Sequence, residues 1–466
     1  MPMSAFADWA ENLREAVGEL ARYRQESCTG APPVVRQIPM AGIIESLGLR
    51  KHLQEGGLTD GTLHRFLRDY LDLTVRLHHP GSMAHQVAAP HPAAALAMLV
   101  EGATNNPMAI YEMGPAAAAI EAFLLDWLRA KAGWPGGAGG VFTHGGSLAN
   151  LTAIVAARSR FDKGLWAQGC RGDLALIASA DCHYSIARTA GILGIGEEGV
   201  FAVPTDGSGR MQPEKIDETI QRALSAGRRP FALVANACST ATGIYDPLPE
   251  IAAVCRRHGL WLHVDGAHGA AALLSPRHRR RLEGIEQADS LVWDAHKLLC
   301  TPGLCTALLV RDAAALDHAF HEDASYLFHE KAQPGFDFIH RTVECTKASL
   351  GFRLFVVLAA LGESGIAAYI DGRLELTRQA YLLLSRVPGW ECPVEPQSNI
   401  LCFRMPGTDE DQLQIRDRLL ADGDFHLSTA VLGGRRYLRM VLTSEATTLE
   451  DLHRLVSRIQ QMTKHL

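Results

Sequence analysis

Asp265 and Lys297 each stand at the end of an apolar run with the length of a buried strand. Asp265 closes Leu-Trp-Leu-His-Val-Asp, and Lys297 follows Asp-Ser-Leu-Val-Trp-Asp-Ala-His. A lysine amine can form a Schiff base with an aldehyde, and a carboxylate can keep a pyridine nitrogen protonated so that the ring draws electrons. These are the two protein groups that pyridoxal phosphate most needs, and no other pair in the chain has so clear a task. Alone, Asp265 would read as a helix cap. Open α/β sheets place ligands at the carboxyl ends of their strands, where Asp265 falls. Trp293 and the apolar residues after Lys297 suggest an interior lysine, and desolvation with neighbouring positive charge would keep its amine neutral.

The segment Gly139-Gly-Val-Phe-Thr-His-Gly-Gly-Ser-Leu-Ala-Asn-Leu runs into a helical pattern that reaches Arg160, so Gly145, Gly146 and Ser147 fall at a helix start. Free backbone N–H groups and a hydroxyl there suit a phosphate, and a plain capped turn fits the same residues. His144-Gly-Gly also fits an esterase oxyanion loop, but no Gly-x-Ser-x-Gly elbow accompanies it.

The elements that must position these groups follow from periodicity. Residues up to about Asp72 carry helical spacing with polar interruptions. From roughly Pro115 to Val310 helical stretches alternate with apolar strands at Leu174–Ser179, Phe231–Ala235, Leu260–Val264, Ser290–Trp293 and Thr306–Val310. That alternation predicts an α/β unit with a mainly parallel sheet. A long helical stretch after Gly351, strand-like runs at Trp390–Met405 and Arg435–Thr443, and a final helix from Thr448 predict a smaller α+β unit. The expected division is residues 1–85 as an N-terminal helical segment, 86–350 as the large unit and 351–466 as the small one.

Composition narrows the partners. The chain has 466 residues, 47% hydrophobic and 21% charged, with a net charge of −6, which argues against nucleic acid or a membrane surface as partner. The basic run Pro276-Arg-His-Arg-Arg-Arg281 reads as a solvated helix face, with Glu283 and Glu286 close behind. The longest apolar run, Leu354 to Leu361, is short for a bilayer. Ten cysteines are scattered without Cys-x-x-Cys or zinc-type histidine spacing, so reduced thiols and no metal are expected. With nothing resembling a secretion signal at the N-terminus, the cytoplasm is the expected compartment.

The chain resembles the group II pyridoxal-phosphate-dependent amino acid decarboxylases, nearest the glutamate, cysteine-sulfinate and aspartate decarboxylase branch. The matching motifs run in family order: His79-Pro80, Tyr111-Glu112, Gly145-Gly146-Ser147, Asp181-Cys-His-Tyr-Ser, Thr240, Asp246-Pro247, His263-Val-Asp-Gly-Ala, His296-Lys297, Ala324-Ser-Tyr-Leu-Phe and Tyr437-Leu-Arg-Met-Val. The resemblance implies an aspartate-aminotransferase-like fold of type I with a seven-stranded, mainly parallel sheet, and a homodimer whose N-terminal helices wrap the neighbour. It makes Lys297 the Schiff-base lysine, Asp265 the partner of the pyridinium nitrogen and Ala267 a small residue beneath the ring. His183 would stack on the opposite face and approach the reacting carboxylate. Gly146, Ser147 and His296 would hold the phosphate, Thr240 would face the ring edge, and Arg439 would bind a substrate carboxylate through its planar fork. Gln86 would correspond to the family's substrate glutamine, which follows His-Pro at a slightly different spacing in relatives.

The implied reaction is decarboxylation of an L-amino acid, acidic by first expectation, to the amine. A diamino or aromatic substrate, an oxidative decarboxylase or lyase, and a non-catalytic cofactor-binding scaffold are the alternatives. Two departures stand out. Asp294 occupies a place where many relatives have Asn, so it should turn away from the phosphate or be paired. The stretch after Ala324-Ser-Tyr-Leu-Phe is shorter than in relatives and lacks the tyrosine that protonates the product, leaving His329 or His340 as donors and Phe336 or Phe338 in the region of that tyrosine.

Overall fold

Seven short strands form one sheet in the large unit: β1 Gly139–Thr143, β2 Leu174–Ser179, β3 Val200–Val203, β4 Arg229–Asn236, β5 Trp261–Asp265, β6 Ser290–Asp294 and β7 Thr306–Val310. The structure, a computed structural model, describes residues 9–58, 60–320 and 335–463. Every residue of β2, β5, β6 and β7 is buried, which is why these strands read as continuous apolar runs instead of alternating ones. The order is β1-β7-β6-β5-β4-β2-β3. β6, β5, β4, β2 and β3 run parallel, whereas β7 is antiparallel to both β6 and β1.

β1 and β3 escaped the periodicity reading for physical reasons. β1 opens on two glycines, and a Cβ on Gly140 would meet the Leu308 carbonyl oxygen, so close backbone approach replaces side-chain pattern there. β3 is a four-residue edge strand with one fully buried position.

The register gathers functional side chains at one end of the sheet. Asn236 lies beside Asp265, and Asp294 and Thr143 both lie opposite Thr306, so β1, β4, β5 and β6 finish where β7 begins. The helix Gly146–Phe161 is buried over nearly its whole second half and packs on the sheet through Ala149, Ala153, Ile154, Ala156 and Ala157.

The basic run forms a short 3-10 turn at Arg279–Leu282 and not a helix face, since Pro276 and the Glu283–Gly284 turn leave too few residues for α-helical bonding. The apolar stretch Leu350–Leu384 is long and apolar enough to cross a membrane by composition, longer than the run read from sequence. It is two helices meeting at Gly362, whose φ is 67°, and Leu350, Leu354, Ile366, Ile370 and Leu374 belong to the core.

Two compact units are present: Gln86–Arg378 with Pro393–Leu401, and the residues up to His85 with Gln379–Cys392 and Cys402–Leu466. In the second, Glu19 of the helix Trp9–Thr29 is buried and binds Arg22 at 2.8 Å and Arg68, on the helix Asp60–Asp72, at 2.7 Å. A three-stranded sheet is ordered β8 (Ile400–Phe403), β10 (Arg435–Val441), β9 (Ser428–Leu432). The expected Trp390–Met405 strand shrinks to β8 because Pro393 and Pro396 cannot donate to a ladder. Thr408 with Asp411 caps the helix Asp409–Asp422, and Thr448 with Asp451 caps Leu449–Thr463.

Candidate active site

A cavity of about 230 Å³ opens at the strand ends of the large unit. Gln86, Gly146, Ser147, His183, Thr240, Asp265, Ala267, His296 and Lys297, all singled out in the sequence, line it. Arg439 lies in the other unit, buried on β10, where its Nη1 donates to the Ala84 carbonyl and to Ser428 Oγ, each at 3.2 Å. Ala324–Phe328 and His329 lie outside the described residues. His340 sits in the turn Phe338–Arg341 and does not line the cavity, and Phe338 is buried in the core.

Lys297 projects into the cavity with its Nζ 2.9 Å from Asp294 Oδ2. Burial disfavours its charge, but Asp294 and Asp265 outweigh burial and hold the amine above its ordinary pKa. This corrects the expectation of a neutral amine: the neighbours of Lys297 are carboxylates. Asp294 is paired, as its position required. Its Oδ1 accepts from Thr306 Oγ1 at 2.6 Å. Burial works against its ionisation, yet Lys297, His296 and Thr306 together hold the carboxyl below its usual range.

Asp265 accepts from the Ala267 N–H at 3.1 Å through Oδ1 and from Asn150 Nδ2 at 2.9 Å through Oδ2. His183 Nδ1 lies 2.8 Å from Ser185 Oγ, and its ring packs 4.1 Å from that of Tyr184. Burial lowers the His183 pKa, favouring neutral imidazole. His296 Nδ1 lies 2.9 Å from the Cys305 carbonyl oxygen.

The helix start at Gly146 has no side-chain cap, and Gly145 adopts a φ of 100°, which favours glycine. A Cβ on Gly146 would lie 3.0 Å from Asp294 Oδ1, so the backbone can approach the cavity there only without a side chain. Uncapped N–H groups, a lysine amine and a buried carboxylate around one cavity form the donor set that the phosphate, aldehyde and ring nitrogen of pyridoxal phosphate require. Gln86 Nε2 is buried without a hydrogen-bond partner, an unmet donor at the same cavity.

Sequence reasoning gave no cofactor-site role to several lining residues, Asn150, His144 and Asn236 among them. Asn150 lies one turn after Gly146 on the same helix, and that i, i+4 spacing could have revealed it. His144 Nδ1 pairs with Glu344 Oε1 at 2.5 Å, a contact across 200 residues that has no local signal. Asn236 owes its place beside Asp265 to strand register alone.

Residues 62–406 match the family described as the pyridoxal-dependent decarboxylase conserved domain. The chain is 31% identical over 427 residues to acidic amino acid decarboxylase GADL1 of Bos taurus, covering 86% of this chain and 82% of the relative. It is 32% identical over 420 residues to cysteine sulfinic acid decarboxylase of Homo sapiens, covering 86% and 85%. The crystal structure of mouse CSAD matches with a TM-score of 0.91 at 29% identity, over 97% of this chain and 98% of that one.

Proposed function

Because the chain belongs to the pyridoxal-dependent decarboxylase family, and is thus a fold-type-I carboxy-lyase dependent on pyridoxal phosphate, we propose that its substrate is an acidic L-amino acid. Aspartate, glutamate and cysteine sulfinate are the candidates. One mammalian relative is named an acidic amino acid decarboxylase and the other a cysteine sulfinic acid decarboxylase, which supports the class. The observation that carries the chemistry is the Lys297 amine and the Asp265 carboxylate lining one cavity at the strand ends.

When bound, the cofactor supplies an electron sink for the pair left behind as carbon dioxide departs. Lys297 would hold it covalently, and Asp294 would keep the lysine charged whenever the amine is free. Asp265, fixed by two donors, would hold a proton on the ring nitrogen. Gly146, Ser147 and His296 would bind the phosphate, Ala267 and Thr240 would bound the ring, and His183 would cover its other face as a neutral imidazole. Gln86, with its unmet Nε2 donor, would orient a substrate carboxylate at this cavity, and Arg439 carries the planar fork that the resemblance assigns to a substrate carboxylate.

We further propose a cytoplasmic homodimer without nucleic-acid or membrane partners. The net charge of −6 supports the lack of a polyanionic partner. Exposed apolar side chains support an interface: Met40 and Leu53 at 78% and 88% exposure on the helices Met40–Ser46 and Leu49–Glu55, and Leu96 and Phe123 in the large unit. Light scattering on the purified protein measures the oligomer directly.

The test of function is a panel of acidic, diamino and aromatic amino acids incubated with the loaded protein, with amine, aldehyde and carbon dioxide quantified. Amine and carbon dioxide from an acidic substrate are expected. Turnover confined to aromatic or diamino substrates would overturn the substrate class, and aldehyde with peroxide would point to oxidative chemistry.

A further inference from the structure

The carboxylate of Asp265 and the ring of His183 are tied to a single amide. Asn150 is buried, and its Nδ2 donates to Asp265 Oδ2 and to Ser185 Oγ, each at 2.9 Å. Its Oδ1 lies 2.9 Å from His263 Nε2. His263 Nδ1 lies 2.7 Å from Ser290 Oγ, which accepts from Trp261 Nε1 at 2.8 Å. Ser185 Oγ closes the chain at 2.8 Å from His183 Nδ1.

Counting donors places the protons. An ionised carboxylate only accepts, so the amide edge facing Asp265 must be the NH2, and both of its hydrogens are then used, on Asp265 and Ser185. The Asn150 carbonyl oxygen also only accepts, so His263 carries a proton on Nε2. Burial pushes His263 down to about 4, so it is neutral near physiological pH and its Nδ1 takes the Ser290 hydroxyl hydrogen. The Ser290 oxygen remains free to accept from the indole. Ser185, receiving a hydrogen from Asn150, directs its own to His183 Nδ1, and the Ser185 backbone N–H lies 3.3 Å from the same nitrogen. His183 is left with its proton on Nε2.

We propose that Asn150 is a positioning residue that sets the Asp265 carboxylate and, through Ser185, the His183 tautomer, so that the cavity meets an acceptor at Asp265 and an N–H donor at His183 Nε2. Its relevance to catalysis rests on the reading that both residues meet the cofactor. The hydrogen-bond arrangement itself does not. Asp265, Lys297, Asp294 and Arg188 are the charged groups that act on His183.

Nitrogen NMR of histidine-labelled, cofactor-free protein reads the tautomers without any variant. Neutral Nε2–H forms of both His183 and His263 are expected near neutral pH. An Nδ1–H His183 or a charged His263 would overturn the assignment. Ser185→Ala removes a donor to the neutral-ring lone pair, so the NMR titration of His183 should move to higher pH, whereas Ser185→Thr should leave it in place. No movement in the alanine variant would refute the link through Ser185. Asn150→Asp is nearly isosteric but sets a second carboxylate against Asp265, so one of the two must take a proton. Pyridoxal phosphate affinity, followed by absorbance, should fall about tenfold or more below the unaltered protein near about pH 8, with the gap closing toward about pH 6. A gap that is absent or constant with pH would reduce Asn150 to a packing role. Each of these outcomes is independent of which amino acid the enzyme consumes, so failure here and failure of the substrate assignment are separable.

Discussion

Lys347 and Lys297 both lie inside the large unit with a carboxylate in contact, yet the two pairs are built in opposite ways. Lys347 Nζ meets both oxygens of Glu121, at 2.5 and 2.6 Å, with the two side chains 1% and 0% exposed. Glu121 also accepts from the Phe142 N–H, and the Phe338 ring lies 5.3 Å from the ammonium. Lys297 touches one oxygen of Asp294 at 2.9 Å, remains 20% exposed toward the cavity, and shares that carboxylate with Thr306. A lysine that must release its proton and change bonding partners needs a single, breakable contact. One that holds β1 to the rest of the core is chelated and closed. The contrast teaches that burial of a charged pair does not by itself mark function, and that the open contact and the cavity do.

The comparison can be broken first at the lysines. Lys297→Ala should lower turnover by roughly 10³-fold or more, and borohydride treatment followed by peptide mapping should find no cofactor adduct at that position. Urea unfolding of the same cofactor-free variant should change little. An adduct on another lysine in the unaltered protein would sink the assignment.

Lys347→Met should behave in reverse, losing about 3–5 kcal/mol of stability because Glu121, whose ionisation burial already opposes, loses its counter-charge and keeps only the Phe142 N–H or must take up a proton. Adding Glu121→Gln should recover part of that loss in the same urea measurement. A stability loss as large for Lys297→Ala would erase the distinction between the pairs.

Asp294→Asn sharpens the comparison through pH. Asp294 favours the ammonium form of Lys297, so removing its charge lowers the amine's pKa. The pH at which cofactor-free protein captures pyridoxal phosphate at half its maximal rate should therefore move down. A stationary or rising midpoint would show that this carboxylate does not govern the amine.

Phe338→Leu should have the smallest effect, about 1–2 kcal/mol of stability from lost packing and ring contact with the Lys347 ammonium, without a shift in cofactor capture. Calorimetry and the same capture assay measure both.

Much of this molecule is legible along the chain. Lys297 and Asp265 stand out because each ends a run whose apolar residues are buried on both faces of a sheet, so a charged residue there needs a reason. Five strands were readable on the same ground. β1 was not, because two of its five residues are glycines with no side-chain pattern to read. The charge state of Lys297 was also misread, since burial acts on any interior lysine but the carboxylates that outweigh it come from Asp294 and Asp265 together.

Local composition and spacing by themselves determined the α/β class and the helix start at Gly146, because those depend on periods of two to four residues, while the family came from the resemblance of motifs spread in order along the chain. The partnerships were decided only by tertiary structure. Asn150, on the helix Gly146–Phe161, reaches Asp265 at the end of β5 across 115 residues, and Glu121, on the helix Pro115–Lys131, reaches Lys347 in a loop across 226, both through the packing of helix and loop in the tertiary fold. A hydrogen bond requires two atoms within about 3 Å, and no local pattern records which distant side chain the fold will bring to that distance.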